Sequence, residues 1–355
     1  MFLGQKTLLS VALLGIMSAG FTTANAQTAA APDADMQAVL NEMQVLGAKP
    51  IETLSVQEAR INPTVGDAAV TLLAKKGRVP GETGLILRNM MISGAAGNIG
   101  ARLYTPIQSV KGVTAKLPLI VYYHGGGWVI GDIDSYDTSA RALSKLNNAI
   151  VLSVDYRRGP ENKFPAAHQD AFAAYRWALK NAAAIGVDSQ RIAVAGESAG
   201  ANLALNVAIR ARDSKVQMPL HEVLIYPVAG DDMNTASYEA NATAEPLSKA
   251  AMVFFFNNYL NTMNDAKDPR INLVAANLRG LPPTTIITAQ IDPLQSEGLE
   301  LAVQLKNQGV TVNSQNYNGV THEFFGLADV VAQARAAQSF VTQELKAPFT
   351  PPQPY

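Results

Sequence analysis

The fold turns on one stretch of the chain, Arg191-Ile192-Ala193-Val194-Ala195-Gly196-Glu197-Ser198-Ala199-Gly200. Residues 191–195 read as a short buried strand, and a helix is expected from about 199 to 211. Between them lies a G-x-S-x-G pattern. A serine so placed sits on a tight strand-to-helix turn, where small neighbours tolerate strained dihedrals and leave its oxygen exposed. The helix N-terminus behind it favours a developing anion. The five-residue string alone arises often by chance, and the flanking strand and helix are what make it specific.

Working outward, the same alternation continues on both sides. Strands are expected at 86–92 and 101–104 around a Gly-rich turn at 94–100, then at 117–123, 149–156, 222–226, 284–290 and 310–317. Helices are expected at 165–184, 296–308 and 327–345. Strands interleaved with helices mean βαβ units, so the fold class is α/β with a mostly parallel central sheet and helices on both faces. Upstream, Met36, Val39, Leu40, Met43 and Leu46 fall at helical spacing, Gly47 and Pro50 end that helix, and a second helical patch covers 68–76 before Pro80-Gly81. Residues 231–278 break the alternation, with Phe254-Phe255-Phe256 and Tyr259 amid polar residues, and read as an insertion above the sheet. The four prolines of 348–355 suggest a disordered tail.

Composition narrows the function. The 355 residues carry 28 Lys+Arg against 29 Asp+Glu, four His and no Cys. A near-neutral chain is a poor partner for nucleic acid, and without cysteine there is no disulfide, thiolate metal site or Cys nucleophile. The chemistry must come from Ser, His, Asp and Glu. Residues 1–26 read as a secretory signal: Lys6, an apolar run from Leu8 to Met17, then the A-x-A triplet Ala24-Asn25-Ala26. That run is shorter than the roughly 20 residues a membrane-spanning helix needs. Export to the periplasm or medium, with no stable membrane anchor once the signal is cleaved, is the expectation.

A second motif, His124-Gly125-Gly126-Gly127-Trp128, follows the 117–123 strand directly. Three glycines let backbone N–H groups converge without side chains in the way, one half of an oxyanion hole, with the N–H of Ala199 as the other half. Phosphate-loop patterns are missing, so a phosphate-binding role is disfavoured. Of the histidines, His124 belongs to the loop as a brace, His168 lies in a helix and His221 begins a strand. His322 sits between the last strand and the last helix, at the carboxyl edge of the sheet where a loop-borne base belongs. Gly326 rules out an H-E-x-x-H zinc pair at 322, and no metal is expected. Asp292 ends the 284–290 strand, with Glu297 and Asp329 as worse-placed rivals. The chain order Ser198, Asp292, His322 is that of an α/β-hydrolase triad.

Together these segments resemble the bacterial hormone-sensitive-lipase family of α/β-hydrolases across about residues 85–345. The likeness rests on 124–132, on Asp155-Tyr156-Arg157-Arg158-Gly159-Pro160-Glu161 with Phe164-Pro165-Ala166-Ala167, on the 196–200 turn, on Asp292-Pro293-Leu294 and on His322-Glu323-Phe324. The chain departs from the family at Arg158-Gly159, where Leu-Ala is usual. The resemblance implies a Ser198 nucleophile, a His322 base, an Asp292 acid, oxyanion donors from Gly125, Gly126, Gly127 and Ala199, and no cofactor. It divides the chain into a signal (1–26), a leader with cap helices (27–84), a catalytic domain (85–347) carrying a cap insertion (231–278), and the tail. It also implies self-association through the last strand and helix. The expected partner is a small ester of short to medium acyl chain, with Trp128, Met36, Leu40 and Phe255 as candidate contacts. For the cap's apolar residues, packing onto the core is an equally good reading. Amidase, lactonase and polyester hydrolysis use the same groups, and a catalytically silent binding protein is the competing class.

Overall fold

The computed structural model describes residues 1, 30–78, 84–107 and 116–351. Apart from Met1, the expected signal lies outside the described residues, as do Pro80-Gly81 and the last four residues of the tail.

Eight strands form one sheet: β1 (Leu85–Ser93), β2 (Asn98–Pro106), β3 (Leu117–Tyr123), β4 (Ile150–Asp155), β5 (Val187–Glu197), β6 (Glu222–Ile225), β7 (Thr284–Ile291) and β8 (Val312–Thr321). Their order is β1-β2-β4-β3-β5-β6-β7-β8. β1 and β2 pair antiparallel, as do β2 and β4, and from β4 to β8 every neighbour is parallel. Alternation along β3 shows how the core divides. Leu119, Val121 and Tyr123 pack into one apolar cluster, Ile120 and Tyr122 into the other, and all five are buried. A strand covered on both faces must be apolar at every position, which is why 117–123 reads as an unbroken apolar run.

Ten helices accompany the sheet among the described residues: α1 (Ala34–Val45), α2 (Val56–Ala59), α3 (Val65–Lys75), α4 (Asp137–Asn147), α5 (Ala166–Asn181), α6 (Ala199–Asp213), α7 (Ala236–Ala240), α8 (Lys249–Tyr259), α9 (Gln295–Asn307) and α10 (Ala332–Phe349). Buried residues of α5, α6, α8 and α9 join the first cluster, and those of α1, α3, α4 and α10 join the second. The strand order changes direction at β3, which has β4 on one side and β5 on the other. Crevices at such points, beyond the carboxyl ends of the strands, are where ligands bind. The glycine loop follows β3 and the G-x-S-x-G turn follows β5, so both open into that crevice.

Three expectations need correction. α4 has no counterpart in the sequence reading. The final helix starts at Ala332, because Phe325–Leu327 forms a separate 3-10 turn. The tail expected to be disordered from 348 is helical through Phe349, whose side chain is buried and whose carbonyl accepts a hydrogen bond from Arg191 Nη1 at 2.8 Å.

The closest backbone approach in the crevice is between α6 and β3. A Cβ built on Gly200 would stand 2.6 Å from the Tyr123 carbonyl carbon, and one on Gly196 would stand 2.7 Å from the Ala201 nitrogen. Gly200→Ala must therefore push the helix off the strand, at roughly 3 kcal/mol, the upper end of overpacking costs. Urea unfolding of the variant against the parent measures this, and equal midpoints would mean that the two segments can separate freely.

Candidate active site

Ser198 is the single residue between β5 and α6. Its backbone has φ 56° and ψ −119°, in the positive-φ half of dihedral space that residues with side chains avoid. Its N–H donates to Ile225 O at 2.9 Å, which ties the turn to the end of β6. The strain is thus held by neighbours on both sides, and the hydroxyl is turned out of the ladder into the cleft.

His322 meets this hydroxyl from the far edge of the sheet. It directly follows β8, and Glu323 behind it turns the chain with φ 65°. His322 Nε2 lies 2.9 Å from Ser198 Oγ, and Nδ1 lies 2.7 Å from Asp292 Oδ2. Asp292 directly follows β7 and is fully buried, and its other oxygen accepts the N–H of Leu294 at 2.8 Å. A carboxylate on Nδ1 keeps the ring proton there and leaves the Nε2 lone pair facing the serine. Burial pushes the His322 imidazole down, but attraction to Asp292 and the hydrogen bond outweigh it, so the net direction is up from 6.5.

The other three histidines behave in the opposite way. Burial drives His124, His168 and His221 each to about 4, so they stay neutral. His124 Nδ1 contacts Gly125 O at 2.8 Å, and its ring stacks on Tyr156 at 4.2 Å. His168 bridges Tyr259 Oη and Asn202 Oδ1, and His221 meets Thr285 Oγ1. These are packing roles. Neither rival acid bonds to His322: Glu297 accepts the Ala229 N–H at 2.8 Å and is pushed to about 8 by burial, while Asp329 faces Arg78 at 3.8 Å near the surface.

In the glycine loop, Gly126 and Gly127 have φ of 91° and 58° and line the cleft with Ser198 and His322. The N–H groups of Val129 and Ile130 both fold back onto Gly126 O, at 3.0 and 2.9 Å. Among the described residues, no acceptor takes the N–H of Gly126 or Gly127. The Ala199 N–H, at the first helical position, belongs to the set that helix geometry leaves unpaired. Gly125 stands behind the loop, where a Cβ would meet the Tyr136 ring at 2.9 Å.

The alpha/beta hydrolase fold family matches residues 120–326, more than half of the chain, and spans the glycine loop, Ser198, Asp292 and His322. Esterase LipI of Mycobacterium tuberculosis is 38% identical over 263 residues, 73% of this chain and 81% of that protein. The chain belongs to the hormone-sensitive-lipase family of α/β-hydrolases. Ethyl acetate hydrolase of Pseudomonas putida is 32% identical over 247 residues, 69% of this chain and 77% of its own. A hyperthermophilic esterase from the archaeon Pyrobaculum calidifontis superposes with a TM-score of 0.79 at 35% identity, covering 90% of this chain and 98% of its own. The protein is a carboxylic ester hydrolase, the class to which these family members belong. Among its described residues no His, Asp and Glu cluster could hold a metal ion, and no helix is long and apolar enough to cross a membrane.

This family member has a cleft enclosing about 1230 Å³, open mouth included, between the sheet's carboxyl edge and two outlying segments, 43–66 and 245–255. Of the four candidate contacts only Phe255 lines it. Trp128 is fully buried and stacks on Tyr259 at 4.8 Å, and Met36 and Leu40 pack α1 into the second core cluster. Met43, one turn on, reaches the cleft instead. The sequence reading also passes over a buried group behind the serine. Glu197 accepts hydrogen bonds from Tyr122 Oη at 2.5 Å and from Tyr226 Oη, and the Tyr226 ring lies 4.6 Å from that of His322. Residues 122 and 226 lie at the ends of the two strands flanking β5, a register visible only once the strand order is known.

In an NMR titration the His322 imidazole gains its proton with a midpoint above 6.5. Asp292→Asn removes the main opposing charge, leaves burial countered only by the lesser pull of Glu323 and Glu197, and carries the midpoint downward. A midpoint unmoved by that substitution would show that Asp292 does not govern the ring.

Proposed function

We propose that the protein is a serine carboxylesterase acting on short to medium acyl esters, with Ser198, His322 and Asp292 as its triad. The observation that carries the reading is the unbroken hydrogen-bond series from Ser198 Oγ through His322 to Asp292, opening on the cleft beside unpaired N–H groups. In this mechanism Ser198 Oγ attacks the ester carbonyl while His322 Nε2 takes the hydroxyl proton. Asp292 holds the tautomer and stabilises the imidazolium. The N–H of Ala199 and those of the loop, with Gly126 and Gly127 nearest the cleft, hold the oxyanion; one such donor is worth about 3 kcal/mol of barrier. His322 then passes its proton to the departing alcohol, and a water deprotonated by the same ring frees the acid from the acyl-enzyme.

The segments 43–66 and 245–255 act as the cap in this reading, and Met43, Ile51, Leu247 and Phe255 supply its apolar lining. Phe255 is the closest of these to the chemistry. A Cβ on Gly127 would run into its ring, so the ring closes over the glycine loop and shortens the space for an acyl chain. The name of the Pseudomonas putida relative, for an acetyl ester, agrees with such a short pocket.

Hydrolysis of p-nitrophenyl esters from acetate to palmitate tests this. The parent should peak at short chains, Ser198→Ala should lose at least about 10³-fold in kcat, and Phe255→Ala should move the optimum to longer chains. No turnover by the parent at any chain length would return the silent-fold reading to the front, and parental turnover in Ser198→Ala would overturn the triad. We further propose that residues 1–26 direct export and are removed. Mass analysis of the protein recovered from the periplasm or medium of an expressing cell should give Gln27 as the first residue, and an intact Met1 there would overturn this.

A further inference from the structure

Arg60 follows the short helix α2 in the N-terminal segment, far in sequence from every catalytic group. α2 is seated by buried Val56 and Ala59 and closed by a reciprocal Ser55–Glu58 capping box. From this anchored turn the guanidinium reaches across the cleft wall to the core. Its Nε donates to Val129 O at 3.0 Å, and its Nη2 donates to Gly159 O at 2.7 Å. The same fork grips Glu161 through two oxygens, at 2.8 and 2.7 Å. Val129 lies two residues past the last loop glycine, and its own N–H closes the turn onto Gly126 O.

The neighbouring carbonyls are held in the same way. Trp128 O accepts the Gly159 N–H at 2.8 Å, and Gly131 O accepts a hydrogen bond from Arg158 Nη1. The descending limb of the glycine loop, 128–131, is therefore fixed through its carbonyls by groups outside the loop. Arg60 is the one among them that comes from the cap side. Because a peptide is planar, fixing the carbonyl of one unit fixes the orientation of its N–H, and a short turn passes that constraint to the units before it.

We propose that Arg60 is a positioning residue for the oxyanion hole, so that docking of the N-terminal segment sets the aim of the Gly126 and Gly127 N–H groups. This rests on the reading of those N–H groups as oxyanion donors. The Glu161 partner is half-exposed, and an ion pair in that setting adds little by itself. What matters is the fork's reach to two backbone carbonyls, which a lysine cannot reproduce.

The test compares Arg60→Gln, Arg60→Lys, Glu161→Gln and Ser198→Ala with the parent on p-nitrophenyl butyrate, each checked for a parental thermal unfolding midpoint. Loss of aim acts on the transition state, so Arg60→Gln should lower kcat roughly 10- to 100-fold, the scale of an ångström's misplacement, with KM within about threefold. Affinity for phenylboronic acid, which forms a tetrahedral adduct on the serine, should fall in step. Arg60→Lys should keep the fold yet fail to restore kcat, and Glu161→Gln should cost much less than Arg60→Gln. A rise in KM at parental kcat would make Arg60 a substrate contact and overturn the proposal. Equal losses in Arg60→Gln and Glu161→Gln would reduce it to an ion pair and overturn it likewise. If Ser198→Ala is inactive while Arg60→Gln keeps parental kcat, only the clamp fails; if Ser198→Ala keeps parental turnover, the triad reading itself has failed.

Discussion

The approach of the first turn of α6 to the last residues of β3 is the constraint from which the site follows. It requires glycine at 200, whose Cβ would enter the backbone of residues 123 and 124, just as the tight turn from β5 into α6 requires glycine at 196, whose Cβ would enter the backbone of residues 200 and 201. It forces residue 198 into φ 56°, because no residue remains to make a wider turn. It also places the helix end that follows Ser198 against the segment that leads into the glycine loop. One steric condition thus brings together a hydroxyl, an unpaired helix N–H and two loop N–H groups. No metal chemistry is needed to assemble them, only close packing of backbone on backbone.

Electrostatics then separates one histidine from the other three. All four rings are buried, and burial alone favours the neutral form. The rings of His124, His168 and His221 hydrogen-bond only neutral partners, and burial outweighs the charges nearby, so they stay neutral. His322 meets a buried carboxylate whose second oxygen is already held by a backbone N–H, so its charged form has somewhere to be stabilised. Without that compensation an imidazolium in a dry pocket is costly. Glu197 and Tyr226 extend the polar layer behind the ring without touching Ser198 Oγ.

Most of the sheet is legible because a strand buried on both faces leaves an unmistakable apolar run, and Ser198, Asp292 and His322 stand at strand ends, where punctuation marks them. α4 (Asp137–Asn147) is not legible. Its buried face consists of Ser139, Ala140, Ala142, Leu143 and Ser144, and only Leu143 is large and apolar, so the helical period is present but no row of large apolar residues draws attention to it. The cleft walls fail for a related reason. Apolar residues at 36, 40 and 128 look alike in sequence whether they face substrate or core, and only packing tells them from Met43 and Phe255. Phe349 shows the converse error: four prolines outweigh one aromatic in composition, but the aromatic has a pocket to fill and its carbonyl has an arginine to bond.

The departure from the family at Arg158-Gly159 has a physical sense that joins these strands of argument. Leucine at 158 could not donate to Gly131 O, as Arg158 does. Alanine at 159 would put its Cβ 2.6 Å from Asn258 O and 3.1 Å from the Tyr259 Cα, both backbone atoms of α8. Glycine at 159 therefore lets α8 settle closer to the core than the usual residue allows. α8 carries Phe255, whose ring lies on Gly127, and Tyr259, which stacks on Trp128. A methyl group at 159 would lift this helix and loosen both contacts on the glycine loop. The unusual pair is thus an exchange: a side-chain donor at 158 secures the loop from one side, and the missing methyl at 159 lets α8 press on it from the other.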